Sequence, residues 1–146
     1  MGAGRARRPP AFFRRKMEDA AFSDEFFQFL RATVPTVDAA EALLLLRREG
    51  DRWWSAEELA EALLPAVSLP AAEAAAYLAR FQANALVALG PDKRAQYRPG
   101  HNELDMQVNT LAQAYRERPV TLIRVIYALR DSKIKSFADA FKLKRS

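Results

Sequence analysis

A chain of 146 residues, half of them hydrophobic, suffices for one domain with appendages, and folding at this size buries about 70% of the unfolded surface. With no cysteine it has neither disulfides nor thiolate metal ligands, and its single histidine leaves little for a metal centre or a general base. No apolar run approaches the roughly 18 residues of a membrane span, because Leu43 to Leu46 is closed at once by Arg47-Arg48-Glu49. The chain is therefore expected to be non-enzymatic, free of cofactors and metals, and without a membrane span. The start, MGAGRARRPP, has charge but no apolar segment behind it, so it does not read as a secretory signal and a cytoplasmic location is expected.

The net charge of +5 is distributed unevenly. Residues 1–16 carry Arg5, Arg7, Arg8, Arg14, Arg15 and Lys16 and no acid, and the last fourteen residues hold five cations against Asp139. Between them lie 12 basic and 17 acidic residues. Basic tails on an acidic body steer a protein towards polyanions in a salt-dependent way, without choosing between nucleic acid and an anionic membrane surface.

In chain order, residues 1–10 read as a disordered basic arm, with two glycines and the Pro9-Pro10 pair. Residues 11–34 read as an amphipathic helix, since Phe22, Phe26, Phe29 and Leu30 recur at helical spacing. Phe12-Phe13 beside Arg14-Arg15-Lys16 is compatible with a membrane-surface patch, but such stripes more often pack on the protein's own core or on a second subunit. After Val34-Pro35-Thr36, Asp38 with Glu41 can cap a helix over 39–48. That helix is apolar nearly all round, so it should be covered on both sides, one of them by the N-terminal helix.

Trp53-Trp54 suits a short strand. Ser55 and Glu58 form a capping box that starts the next helix, with Leu59, Ala60, Leu63 and Leu64 inward and Glu57, Glu58 and Glu61 facing water. A further helix opens at Ser68 to Pro70 with Ala74, Leu78 and Phe81 on its inner face. Leu86, Val87 and Leu89 lead into the turn Gly90-Pro91-Asp92, and residues 95–97 return as the second strand of a hairpin, a wing. Pro99-Gly100 marks a boundary, with His101 as an exposed loop residue. Asn102 then caps a helix along Leu104, Val108, Leu111 and Tyr115, Pro119 starts another along Leu122, Val125, Ile126 and Leu129, and a third basic piece runs from Ser136 to Leu143.

The helix pair SAEELAEAL and AAEAAAYLARFQANALVAL, followed by the hairpin, resembles the winged helix-turn-helix domains of bacterial transcription regulators of the MarR and ArsR type. The resemblance covers Asp38 to Arg98, with Leu78 and Phe81 at the packing positions of the recognition helix; Ala85-Leu86-Val87 stands where that family usually has Gly-Leu-Val. It implies a mainly α fold with a small β-hairpin wing, a winged helix-turn-helix core over residues 35–99, and flanking N- and C-terminal helices, the latter within 100–146. It also implies DNA as partner. The helix over 71–82 would enter the major groove, and Arg80, Lys93, Arg94, Arg98 and the arm residues Arg5, Arg7 and Arg8 would contact DNA. Against this stands the outer face of that helix, which is Ala71, Ala72, Glu73, Ala75, Ala76 and Ala79 with Arg80 its one cation, whereas base readout depends mainly on Arg, Lys, Asn, Gln and Ser. A protein-interaction module that kept the fold without sequence-specific DNA binding is the alternative. The surplus apolar stripe of the flanking helices predicts a homodimer.

Overall fold

The computed structural model describes residues 22–130, which form six helices and one two-stranded antiparallel sheet. The elements are α1 (Asp24–Thr33), α2 (Val37–Arg48), α3 (Ala56–Leu63), α4 (Ala71–Ala83), β1 (Val87–Leu89), β2 (Ala95–Tyr97), α5 (Asn102–Glu117) and α6 (Pro119–Arg130). The fold is thus mainly helical with a small wing, as the sequence indicates. The expected arm, the part of the N-terminal helix before residue 22 and the piece from Ser136 to Leu143 lie outside the described residues.

Local chemistry explains most boundaries. Ser23 accepts from Phe26 N–H and opens α1. In α3 both halves of the capping box form: Ser55 Oγ accepts from Glu58 N–H at 3.1 Å, and Glu58 Oε1 accepts from Ser55 N–H at 3.0 Å. Thr36, not Asp38, caps α2. Its hydroxyl sits one residue before the first turn and reaches Ala39 N–H at 3.0 Å, whereas Asp38 is already helical. Nor does Asn102 cap α5, because it lies inside the helix and extended His101 takes the cap position without a side-chain bond. Helix α4 stops at Ala83, and Ala85 turns the chain through the left-handed region, φ 62°, into β1.

The wing pairs Val87 with Tyr97 and Leu89 with Ala95. The aromatic run before α3 contributes a single bridge instead of a full strand: Trp54 and Ala95 exchange both backbone hydrogen bonds at 2.8 Å. Gly90 lets the turn close against Trp53, whose ring a Cβ there would meet at 3.2 Å.

Phe26, Leu30, Leu43, Leu46, Trp54, Leu59, Leu78, Phe81, Leu111 and Ile126 all lie within one continuous core. Helix α2 runs through it, packed on α3, α4, β2 and α5. Among the described residues α5 packs against α2, and α1 packs chiefly against α5 and α6. In consequence the stripe assigned to a dimer interface is occupied. Val108 and Leu111 are fully buried, and Leu104 and Tyr115 are packed partly buried on the same core.

Candidate interaction surface

Helices α3 and α4, joined by residues 64–70, present the outer face on which a helix-turn-helix would read DNA. Ala74, Tyr77, Leu78 and Phe81 hold α4 to the core. The residues left outside are Ala72, Glu73, Ala75, Ala76, Ala79, Arg80, Gln82 and Ala83. The face is therefore largely methyl groups. On the adjacent α3 the exposed carboxylates are Glu57 and Glu61. Glu73 is oriented by Tyr77, whose hydroxyl donates to it at 3.0 Å and lies 2.6 Å from Thr36 Oγ1. Burial raises the Tyr77 phenol above its ordinary range, with Glu73 adding to the effect.

The cations selected from sequence lie at different places and mostly serve the fold. Arg80 donates to the Ala32 carbonyl at 3.0 Å, joined there by Asn84 Nδ2 at 3.3 Å. This satisfies a carbonyl in the last turn of α1 that lacks a helical partner, where the dipole favours positive charge. Arg94 is half-buried rather than free at the tip: it meets Glu58 at 2.5 Å and Asp92 at 3.2 Å. Glu58 is consequently held below the usual carboxylate range, first by the Ser55 N–H and then by Arg94, against an opposing cost of burial. Arg98 donates to Gln96 Oε1 and lies 5.9 Å from the Trp53 ring centroid. Lys93 is exposed at the turn, with φ 67°, and makes no ion pair among the described residues. Arg5, Arg7 and Arg8 lie outside the described residues.

Sequence reading missed the polar seam between α2 and α5. Arg47 Nη2 donates to Asn109 at 3.3 Å and its Nε lies 3.5 Å from Asp105, which accepts from the Tyr97 hydroxyl at 2.7 Å. At the other end the Tyr115 hydroxyl is bound to Glu41. Burial, then the bond to Glu41, pushes the Tyr115 phenol up to about 12, and Tyr97 is raised by burial and Asp105. These pairs fix α2 and α5 antiparallel, since Glu41 meets Tyr115 while Arg47 meets Asp105. Nothing local in the sequence signals them. Beyond these contacts, no helix among the described residues is long and apolar enough to cross a membrane. Comparison with protein-family models, curated proteins and solved structures finds no match.

Proposed function

We propose that this chain is a non-catalytic winged-helix module that docks a protein partner on the alanine face of α4, without reading DNA sequence. The observation that carries this reading is the composition of that face: five exposed alanines with Glu73 in the first turn and Arg80 engaged by Ala32. Direct readout needs side chains that donate to or accept from base edges, and Gln82 is the one uncommitted group of that kind on the outer face of α4. An exposed glutamate in the first turn opposes the approach of phosphates. Small side chains have the opposite merit for a protein partner, because they let a second helix approach closely.

A second reading, a DNA-binding regulator of the MarR or ArsR type, is favoured by Lys93 at the wing tip and by the cations of residues 1–16. Gel-shift measurements on genomic fragments at two salt concentrations separate the two. Under the proposal any retardation is sequence-independent, disappears at the higher salt and is unchanged in Gln82→Ala. A preferred fragment whose retention falls in Gln82→Ala and Lys93→Ala would establish the regulator instead. A homodimer is no part of the proposal; the exposed large apolar side chains among the described residues are Trp53, Leu64, Leu89, Met106, Val120 and Tyr127.

A further inference from the structure

Between α2 and α5 the surface carries a cleft of about 390 Å³ lined by Leu44, Arg47 and Arg48 from one helix and Ala112, Tyr115 and Arg116 from the other. Leu44 and Ala112 supply its apolar lining, and the Tyr115 hydroxyl is already bound to Glu41. Arg47 is committed to Asp105 and Asn109, whereas Arg48 and Arg116 make no ion pair among the described residues. Helix dipoles favour cations in last turns, and both arginines stand in one. That preference accounts for the charges but not for the apolar lining beside them.

The antiparallel pairing gives the cleft a simple symmetry. Arg48 stands one turn beyond Leu44 on α2, and Arg116 one turn beyond Ala112 on α5, so the backbone positions of the two arginines lie on opposite sides of that pair. At 1.5 Å rise per residue, four residues along each helix separate the two backbone positions by roughly 12 Å along the helix axes. An extended peptide advances about 3.3 Å per residue, so acidic side chains four positions apart span this distance with apolar residues between. Each guanidinium offers a planar fork that suits a carboxylate.

We propose that this cleft binds an acidic segment of a protein partner, extended along the groove, with one carboxylate on Arg48, one on Arg116 and an apolar residue over Leu44 and Ala112. The proposal rests on the protein-interaction reading above and supplies that partner with a second hold remote from α4. Charge complementarity selects the occupant: Arg48 and Arg116, which make no ion pair among the described residues, line the cleft together with Leu44 and Ala112.

The test is a titration of the isotope-labelled full chain with the acetylated, amidated peptide Glu-Ala-Leu-Ala-Glu, followed by amide chemical shifts. The expected result is a set of shifts confined to residues around 44–48 and 112–116. Affinity should fall at least tenfold in Arg48→Gln/Arg116→Gln and at least tenfold for the peptide with both glutamates replaced by glutamine. Equal binding by the glutamine peptide or by the variant, or shifts elsewhere, overturns the proposal. A tighter peptide complex in Glu18→Gln/Asp19→Asn would make the chain's own acids the occupant and equally overturn it. Arg130→Gln, an exposed cation outside the cleft, should leave the peptide affinity unchanged. The gel-shift outcome does not depend on the peptide, so failure of this cleft and failure of the interaction reading are told apart.

Discussion

The guanidinium of Arg94 stands 2.5 Å from Glu58 Oε1, so the wing is fastened to the first turn of α3 by the same carboxylate that completes its capping box. A residue at the base of a hairpin tip therefore supports a helix start 36 positions away. Arg94→Ala should lower the melting temperature, and Lys93→Ala should leave it unchanged; equal values for the two variants would show that the pair contributes nothing.

The same carboxylate sets a pH dependence. Because its folded pKa is depressed, the stability it contributes is present above the ordinary glutamate range, near pH 4.3, and is lost as pH falls through the depressed folded value. Glu58→Gln should be less stable than the parent at neutral pH and should lose less stability on acidification. Urea midpoints measured from pH 7 down to pH 3 provide the check. Ser55→Ala removes the other half of the box and should cost about 1 kcal/mol at neutral pH.

Ala85 and Lys93 both adopt positive φ, 62° and 67°. The left-handed region costs a residue with a Cβ about 1–2 kcal/mol, part of which glycine gives back through its freer unfolded chain. Ala85→Gly should therefore stabilise by about 0.5–1 kcal/mol. Lys93→Gly should act in the same direction. Denaturant midpoints that fall in both variants would mean that neighbouring contacts, not backbone strain, dominate these turns.

Phe81 has no exposed surface and stacks near Tyr77, their centroids 6.5 Å apart. Phe81→Ala should cost about 3–5 kcal/mol, as expected for a packed aromatic removed from a core that closes only partly. A cost below about 1 kcal/mol, read from urea unfolding, would require the core around α4 to collapse into the space.

The phenols of the α2 and α5 seam predict behaviour in alkali. A folded pKa of about 12 at Tyr115 lies above the ordinary value near 10, so its contribution is complete below pH 10 and lost as pH rises through 12. Phenolate absorbance should keep rising beyond pH 11, and Tyr115→Phe should remove part of that late rise. A late rise that is the same in Tyr115→Phe would mean that Tyr115 ionises earlier and that the bond to Glu41 does not hold its proton.

Elements governed by neighbours in sequence were legible from residues alone. The capping box at Ser55 and Glu58, the turn at Gly90 and the proline start of α6 involve partners no more than four positions apart, and local chemistry decides them. Burial of Leu59, Leu78 and Phe81 followed from helical periodicity. Thr36 and Asp38 are both good caps, and only the direction of the chain leaving Pro35 chose between them. Arg80, Arg94 and Arg98 looked available for phosphates because their charge is visible in sequence and their partners are not: the Ala32 carbonyl lies 48 residues from Arg80. The side of α2 that α5 covers depends on helix register, which amphipathic patterns leave open, and the cleft between them was hidden for the same reason.

The outer surface of α4 has a thermodynamic consequence of its own. An alanine methyl has no rotamers to freeze, whereas each long side chain immobilised at an interface costs about 0.5–1.5 kcal/mol. Whatever settles on Ala72, Ala75, Ala76 and Ala79 meets a rigid platform already in its bound shape, and the entropy of ordering that contact falls almost wholly on the other molecule.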